Sequence, residues 1–381
     1  MKIMMVTPYY APRFGGVESY TKAIVDHLTE GGNAEVVVVT SEVVGQPAKE
    51  VKDGVTIYRL SNLVKFSNTP MNPFWYFRFK KLIRDEKPDV INAHTPVPFI
   101  ADMAAWAKGS TKFVFTYHND LVKPSGVGKY LAKLFYILFI NHTLKVSDRI
   151  IATSDFYVQT SPYLQKYKSK ISIVAPGEEP ALYNGQLDTT WLAQKYPGKK
   201  VVLFAGSMDK SHAHKGVDVL IKAVAKAKQQ VPDLCMVAVG KGDYIWAYKE
   251  LAEGLGIGDS VNFTGFIPDE ELALYFAGCS VFVLPSTTAS EGFGMVAMEA
   301  SACGAPVIGS RIGGVPFAVL QGETGEIVQP GSVEELSDAI VKIVTNPELA
   351  KRYGHAGAER ARREFTWSYL ADKTFKVFQD V

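Results

Sequence analysis

Short runs of β-branched and other apolar residues recur along the first half of the chain, and segments with helical periodicity separate many of them. Residues 18–29 and 75–86 place apolar side chains at helical spacing. The apolar runs between such segments predict buried strands at 2–6, 35–40, 55–60, 90–93, 113–117, 149–153 and 171–174. Strands that alternate with helices in this way predict an α/β fold, in which helices cover both faces of a parallel sheet.

The alternation stops at 175–200, a stretch rich in Pro, Gly and polar residues, and then resumes. Beyond this stretch, buried strands are predicted at 201–205, 236–239, 261–264, 281–284 and 306–308. A chain of 381 residues exceeds what one hydrophobic core usually supports. We therefore expect two α/β domains, residues 1–180 and 181–365. The last segment, 366–381, has an amphipathic helical stripe made by Trp367, Leu370, Ala371, Thr374, Phe375 and Phe378.

Composition narrows the classes of function. The net charge of +2 is too small to favour nucleic acid or a strongly charged partner. The three cysteines show no C-x-x-C spacing, and we expect them to be buried thiols in a reducing compartment. The chain shows no signal-peptide pattern, and no apolar stretch approaches the roughly 20 residues that span a bilayer. We therefore expect a cytoplasmic protein.

The stretch 290–299 has the composition of a phosphate-binding turn. Good helix formers without Pro or Gly follow Gly294, so we expect a helix to begin there. Because Gly292 and Gly294 lack a Cβ, an anion can approach free backbone N–H groups at the positive end of the helix dipole. Glu299, one turn inside the helix, would reach a diol attached to that phosphate, and Glu291 on the loop would reach a sugar hydroxyl. The spacing alone also fits an ordinary strand–loop–helix turn flanked by two surface glutamates.

The order E-G-F-G-x4-E, followed by A-x2-C-G-x-P-V-I-x-S, resembles the signature of the retaining glycosyltransferases of family 4, which have the GT-B fold. Here the signature begins at Glu291 and ends at Ser310, and the resemblance extends to 313–316 and 322–325. The resemblance covers nearly the whole chain. It implies two Rossmann-like domains that face each other across a cleft, with the helix at 366–381 crossing back to the first domain.

The resemblance implies that loops after strands hold a nucleotide sugar donor. Gly16 would touch the donor diphosphate through its backbone amide, although the pair Gly15-Gly16 by itself also fits a plain tight turn. Backbone groups near Phe266 and Ile267 would frame the base. Phe317 stands where many members carry glutamate, and it is given no role. The implied donor-binding residues are Gly16, Ser207, Phe266, Ile267, Phe293, Gly294, Met295, Val296 and Glu299.

Three residues are implied to act on the transferred sugar and on the leaving group. His118, at the end of the strand 113–117, would hydrogen-bond the sugar and steady charge at the anomeric carbon. A histidine at a strand end is otherwise more often structural. Glu291 would hold a sugar hydroxyl, and Lys215 would neutralise the leaving diphosphate. His94 ends a similar strand and is a second-choice candidate for lining the acceptor side.

The chain departs from the family pattern at Ser207, where members commonly carry an arginine that shares the diphosphate charge. The candidates that would compensate for the missing positive charge are Lys210, His212 and His214. Asp209 with the same two histidines is also a candidate metal site, but no further anchoring cluster accompanies it. No D-x-D pair occurs in the sequence. We therefore expect an enzyme that needs neither a metal nor another cofactor.

These features predict a retaining glycosyltransferase that moves a hexose from a UDP- or GDP-sugar to an acceptor hydroxyl. In the family's mechanism, the acceptor attacks the face that the diphosphate leaves. The alternatives are another GT-B enzyme, such as a nucleotide-sugar 2-epimerase or a phosphorylase, and a non-catalytic nucleotide-sugar-binding protein. The acceptor is open between a glycan, a lipid-linked saccharide and a small metabolite, and no nucleic acid is expected as a partner.

Two stretches, 74–84 and 129–145, mix aromatic, aliphatic and cationic residues. One hypothesis is that they form interfacial helices that place the protein on the inner face of an anionic membrane. The alternative is that their apolar faces pack on the sheet while the Lys and Arg stems reach water.

Overall fold

The computed structural model describes residues 1–13, 15–32, 34–66, 69–95, 97–120, 130 and 133–381. Contacts divide the chain into two compact units. Unit 1 comprises Met1–Pro176 together with Trp367–Val381, and unit 2 comprises Gly177–Thr366. Residues 129, 131 and 132 of the predicted interfacial stretch lie outside the described residues.

Unit 1 contains an eight-stranded sheet with the strand order β10-β9-β8-β7-β1-β2-β4-β3. All of its strand pairs are parallel except β3 with β4. A separate antiparallel pair is formed by β5 and β6. The strands are β1 Lys2–Val6, β2 Glu35–Ser41, β3 Lys49–Lys52, β4 Val55–Leu60, β5 Val64–Phe66, β6 Thr69–Met71, β7 Val90–His94, β8 Lys112–Tyr117, β9 Arg149–Ala152 and β10 Ile171–Ile173.

The helices of unit 1 pack against this sheet and against each other. Their order is α1 Gly16–Glu30, α2 Trp75–Glu86, α3 Ile100–Ala107, α4 Asn141–Val146 and α5 Asp155–Thr160, with a π-helical turn at Tyr136–Ile140. The C-terminal helix, Trp367–Gln379, belongs to this unit and lies on α1, where the rings of Trp367 and Tyr20 are 5.4 Å apart. Its predicted stripe is buried except at Phe375, which is half-buried, and Val377 is buried in addition.

Unit 2 contains a six-stranded, wholly parallel sheet with the strand order β13-β12-β11-β14-β15-β16. This is the order of a doubly wound nucleotide-binding sheet, and it reverses between β11 and β14. The strands are β11 Lys200–Ala205, β12 Leu234–Val239, β13 Val261–Gly265, β14 Val281–Leu284, β15 Val307–Ser310 and β16 Gly325–Val328. The helices are α6 Thr190–Lys195, α7 Val217–Ala227, α8 Ile245–Gly254, α9 Asp269–Gly278, α10 Met295–Ala302, α11 Val315–Ala318, α12 Val333–Val344 and α13 Pro347–Glu364.

The core of unit 2 follows from the two periodicities in the sequence. Leu220 and Val224 lie one turn apart on α7, and both are fully buried in the same cluster as Ile340 of α12. Val202 and Met236 contribute the sheet side of this cluster from β11 and β12. Within the described part of the chain, no helix combines the length and the apolar character that crossing a bilayer requires.

Candidate active site

The loops that follow β11 and β14 meet where the strand order of unit 2 reverses. Gly216, directly after Lys215, has a φ of 73°, and a Cβ there would lie 2.1 Å from the carbonyl oxygen of Pro285. Only glycine permits this approach. The backbone N–H of Thr287 donates to the carbonyl oxygen of His214 at 2.7 Å. These contacts hold Lys215 against the loop that carries Glu291.

Lys215 and Glu291 form a shielded ion pair. The Lys215 Nζ donates to Glu291 Oε2 at 3.2 Å, and the Ser286 Oγ donates to the same oxygen at 2.9 Å. The side chains of the pair are 19% and 11% exposed. Burial opposes ionisation of Glu291, but the charge of Lys215 and the Ser286 hydroxyl hold its pKa below the usual value. The site therefore contains a fixed cation and a fixed carboxylate before any ligand binds.

Helix α10 begins at Met295, directly after Gly294, which confirms the predicted helix start. Gly294 has a φ of 82°, and a Cβ there would lie 2.7 Å from Leu284 Cδ2. No side chain caps this helix end. The half-buried Met295 and Val296 therefore carry first-turn N–H groups of the kind that bind anions.

Glu299 lies one turn further along α10 and is half-buried. Its carboxylate makes no hydrogen bond with the residues that the structure describes. Burial, helped by the charge of Asp269, raises the pKa of Glu299 to about 7. A carboxylate of this kind gains from a ligand that donates hydrogen bonds to it, and a diol does so.

Phe293 is 5% exposed, so its side chain is not available to a ligand. Its ring packs at 6.0 Å from the rings of both Phe317 and Phe365. The guanidinium of Arg360 lies 5.4 Å from the Phe317 ring and donates to the carbonyl oxygen of Ala318 at 3.0 Å. Phe317 therefore makes aromatic contacts that support the loop before α10. Of the donor-binding positions, Phe293 can contribute only its backbone.

A pocket of about 330 Å³ opens beyond the ends of β11, β12 and β13. Ser207, Phe266 and Ile267 line it, so the structure brings these three predicted residues together. Phe266 is 65% exposed, and the Lys241 ammonium lies 4.8 Å from the centre of its ring. The Ser207 hydroxyl donates to Asp209 Oδ2 at 2.8 Å. Lys241, which also lines the pocket, is a cation that the sequence interpretation missed.

Gly16 begins α1 in unit 1, and a Cβ there would meet no atom within 4 Å. A Cβ on Gly15 would instead lie 2.4 Å from Glu18 Oε2, so the carboxylate of Glu18 occupies that space. Arg13 pairs with Glu18 at 3.8 Å. The open side of this helix start is therefore at Gly16.

His118 and His94 lie side by side at the ends of β8 and β7. Their rings stack at 5.3 Å, and His94 Nδ1 is 3.1 Å from His118 Nε2. His94 is completely buried, so the expectation that it lines the acceptor side is wrong. Its other nitrogen bonds to Asn92 at 2.9 Å, which explains the burial as a satisfied internal hydrogen bond. His118 is half-buried, and the edge of Tyr20 packs 4.8 Å from it.

Both histidines are held in the neutral form. Burial, reinforced by His118, lowers the pKa of His94 well below its usual value. Burial alone lowers the pKa of His118 to about 4. Neither ring carries a charge near neutral pH, so this part of unit 1 is polar but uncharged.

The described residues include no group of three or more His, Cys, Asp and Glu side chains that could hold a metal ion. In the candidate metal set, His212 Nδ1 lies 3.6 Å from Asp209 Oδ2. His214 lies near Lys215, and burial with that charge lowers its pKa. Lys210 is exposed, and its backbone N–H donates to Asp243 at 2.8 Å.

Sequence interpretation missed Ser286 as well as Lys241. Ser286 directly follows the proline that ends β14, and a hydroxyl at the end of a parallel strand was the available signal. Asn92 was also missed, although an amide inside an apolar strand has to find hydrogen-bond partners.

The comparisons with known proteins agree with this architecture. The family described as "Glycosyl transferases group 1" matches residues 191–360, and "Glycosyltransferase Family 4" matches residues 14–181. The O-antigen chain mannosyltransferase C of Escherichia coli is 29% identical over 97% of this chain and 95% of its own. A GDP-mannose-dependent alpha-(1-6)-phosphatidylinositol monomannoside mannosyltransferase of Mycolicibacterium smegmatis is 28% identical over 96% and 95%.

Among solved structures, HepE of Anabaena in complex with UDP superposes with a TM-score of 0.75 and 18% identity, covering all of both chains. This similarity shows the fold, and it confirms the predicted α/β GT-B class. The two family matches together leave only residues 1–13, 182–190 and 361–381 uncovered. The chain belongs to the glycosyltransferases of the group 1 and family 4 type.

Proposed function

We propose that this glycosyltransferase moves a hexose from a UDP- or GDP-sugar to an acceptor hydroxyl, with retention of anomeric configuration and without a metal. The observation that carries the proposal is the ion pair of Lys215 and Glu291 next to the uncapped start of α10. A cation and free N–H groups suit a diphosphate, and an ionised carboxylate suits the hydroxyls of a sugar. Glu299 would take the ribose.

The proposed chemistry assigns each group one task. The acceptor oxygen bonds to the anomeric carbon on the face that the diphosphate leaves, and a phosphate oxygen takes the acceptor's proton. The electron pair of the breaking C–O bond goes to the departing diphosphate. Lys215 and the amides of Gly16, Met295 and Val296 stabilise that charge in fixed positions. His118 holds a sugar hydroxyl.

The donor base is the first thing to test. The similar mannosyltransferase is named for GDP-mannose, whereas the HepE structure contains UDP. Thermal unfolding should be followed with UDP, GDP, ADP and their common hexose conjugates. A ligand that binds only the folded state raises its stability with the logarithm of concentration over Kd, so the preferred donor gives the largest shift.

The stereochemical proposal needs a second measurement. With the preferred donor and a set of glycan and lipid-linked acceptors, the anomeric configuration of the product is assigned by NMR, with and without a chelator. Retention and full activity in the chelator are expected. An inverted product contradicts the same-face mechanism, and loss of activity in the chelator contradicts metal independence.

A pocket of about 550 Å³ in unit 1 is our candidate for the acceptor. It lies beyond the ends of β1, β2 and β4, where ligands of parallel sheets bind. The Arg13 guanidinium lies 3.5 Å from the centre of the Tyr9 ring, and the Lys65 ammonium lies 5.8 Å from it. Leu63, 61% exposed, adds apolar surface. Lys65→Ala is expected to raise the acceptor KM while leaving donor affinity unchanged, and an unchanged acceptor KM would place the acceptor elsewhere.

The same unit carries a surface suited to an anionic membrane. Helix α2 buries Trp75 and Phe79 in the core, but Phe74 and Phe77 are 63% and 66% exposed. Exposed cations accompany these rings on α2, namely Arg78, Lys80, Lys81 and Arg84. The second stretch behaves likewise, since Tyr136 is buried while residues 134, 137 and 138 are at least half exposed.

We propose that α2 lies on the inner membrane face, and salt-sensitive co-sedimentation with anionic vesicles tests this. The double variant Phe74→Ser with Phe77→Ser should remain in the supernatant. A wild-type protein that stays in the supernatant at low salt would contradict the proposal.

A further inference from the structure

The hydrogen-bond chain behind His118 starts at a residue whose orientation is fixed. The Asn92 side-chain N–H2 donates to the carbonyl oxygen of Val114 at 3.1 Å and to Thr116 Oγ1 at 2.9 Å. A flipped amide would set Oδ1 against the Val114 carbonyl oxygen, and two acceptors repel each other. The Oδ1 of Asn92 is therefore the atom that faces His94.

The direction of every further bond follows from this starting point. Since Asn92 Oδ1 can only accept, His94 Nε2, at 2.9 Å, carries the proton and donates it. A neutral imidazole with a protonated Nε2 has an unprotonated Nδ1, which can only accept. His94 Nδ1 faces His118 Nε2 at 3.1 Å, so His118 must carry its proton on Nε2.

Among the described residues, one other side chain lies within hydrogen-bond distance of a His94 ring nitrogen, and it does not disturb this assignment. The Thr21 hydroxyl lies 3.4 Å from His94 Nδ1 but donates to the carbonyl oxygen of Val17 at 2.8 Å. Its single proton is therefore already used. Both rings are neutral near pH 7, as burial requires, so no second proton is available to either of them.

We infer that Asn92 and His94 are positioning residues that fix His118 as a hydrogen-bond acceptor at Nδ1. His118 Nδ1 has no hydrogen-bond partner among the described residues, and the residue is half-buried. A bare ring nitrogen accepts from an O–H group and repels another acceptor. This inference rests on the proposed function in one respect: the O–H group is a hydroxyl of the transferred sugar.

The consequence is a specificity that the charged residues of unit 2 do not supply. A sugar with a hydroxyl at the position facing His118 is bound more tightly than one with a hydrogen, a fluorine or an ether oxygen there. Because the hydrogen-bond acceptor, His118 Nδ1, is uncharged, this discrimination between sugars does not require a charge. It persists at every pH at which both histidines remain neutral.

The test measures the tautomer directly. In protein labelled with 15N in histidine, ring-nitrogen shifts distinguish a protonated from a bare nitrogen, and the His118 signals are assigned by their loss in His118→Gln. A proton on Nε2 is expected in the wild type. Asn92→Leu removes the acceptor that orients His94, so His118 should lose this single tautomer.

Ser147→Ala is the matched control, because it removes a buried hydroxyl of the same unit that bonds only to the carbonyl oxygen of Thr143. Thermal unfolding shows whether each variant is folded. A wild-type proton on His118 Nδ1 would overturn the inference, and so would a tautomer that is unchanged in folded Asn92→Leu.

Kinetics then test the link to the sugar. With the preferred donor and its monodeoxy analogues, Asn92→Leu should lower kcat/KM for the parent sugar by roughly five- to tenfold, the worth of one hydrogen bond. One analogue should react equally well with the wild type and with Asn92→Leu. Equal losses for all analogues would overturn the sugar contact while leaving the tautomer result intact.

Discussion

The two units differ in the electrostatics of the polar side chains at the ends of their central strands. In unit 1 the two histidines at the ends of β7 and β8 are uncharged, since burial keeps His94 and His118 neutral, and the Asn92 amide completes their hydrogen-bond chain. In unit 2 the corresponding strand ends carry the Lys215–Glu291 ion pair and the partly ionised Glu299. Neutral polar groups distinguish hydroxyls by direction, whereas fixed charges stabilise a diphosphate.

The difference shows how each unit offsets or avoids the unfavourable free energy of burying a charged group. A buried charge is tolerated only when it is paired and hydrogen-bonded, and Glu291 has both Lys215 and Ser286. A buried histidine avoids the cost by remaining neutral. The charged residues of unit 2, Lys215, Glu291 and Glu299 (the charged half), should therefore dominate catalysis. The neutral His94 and His118 of unit 1 (the neutral half) should dominate selectivity.

The largest effect is expected from removing the cation. Lys215→Ala should lower kcat by roughly 100- to 1,000-fold, because a preorganised group that stabilises the leaving charge is lost. It also leaves Glu291 buried without its partner. Initial rates with the preferred donor measure the change.

Two controls separate this effect from a loss of charge or of structure. Lys222→Ala removes a lysine whose partner, Asp218, lies on the same exposed helix face at 3.3 Å, and it should leave kcat unchanged. Lys215→Arg should recover part of the rate. If Lys215→Ala retained wild-type kcat, the charged half would not stabilise the leaving group.

The central strands of both sheets and the start of α10 were predictable from sequence, because they depend on local patterns of residues. Gly294 ahead of a run of helix formers located the start of α10, and the apolar runs located the central strands. Strand β3 was missed because its charged residues resemble a loop, and it pairs only at a sheet edge. Strand β16 was missed because it is four residues long and contains Glu326, which is buried against Lys342 and Tyr353.

The remaining features depend on contacts between distant segments, which no local pattern contains. The burial of His94 was not predicted because His118, which stacks on its ring, directly follows the next strand of the sheet and lies 24 residues away in sequence. The role of Phe317 was not predictable because it depends on the packing of Phe365 against its ring. In the same way, the ion partner of Glu291 lies 76 residues away in sequence.

The second prediction tests whether Glu299, the side chain proposed to bind the ribose, has to be ionised when a nucleotide sugar binds. With its pKa raised to about 7, Glu299 is increasingly protonated below pH 7, and a protonated acid accepts less well from a diol. Affinity for a nucleotide sugar should therefore fall up to tenfold for each pH unit below 7 and be constant above it. Calorimetric titration between pH 5.5 and 8 measures this dependence.

A nucleotide sugar is the correct ligand, because a free diphosphate has a terminal phosphate that titrates near pH 6 and would mask the effect. Glu299→Gln should bind about tenfold more weakly at pH 8 and lose the pH dependence. His118, whose pKa is lowered to about 4, contributes nothing in this window. An unaltered pH profile in Glu299→Gln would assign the titration to another group.

The last prediction concerns Glu178, a buried side chain of unit 2 whose carboxyl group stays protonated in the folded protein. Its replacement should affect stability without affecting activity. Glu178 is 2% exposed, and neither of its carboxylate oxygens has a hydrogen-bond partner among the described residues. Burial, reinforced by the charges of Glu179 and Glu299, raises its pKa to about 8. The folded protein therefore holds a proton on Glu178 that the unfolded chain releases above pH 4.5, so this stabilisation is present at low pH and is lost as the pH rises to 8.

Replacement of Glu178 by glutamine should remove that dependence. Relative to Glu178→Gln, the free energy of unfolding of the wild type should fall by up to about 1.4 kcal/mol for each pH unit between 5 and 8. Urea unfolding at pH 5.5, 6.5 and 7.5 measures the slope. Glu179→Gln removes the same formal charge from the exposed neighbouring side chain and should keep the steep slope. Parallel curves for the wild type and Glu178→Gln would mean that Glu178 is ionised in the folded protein, and unit 2 would then hold a buried carboxylate with no hydrogen-bond partner among the described residues.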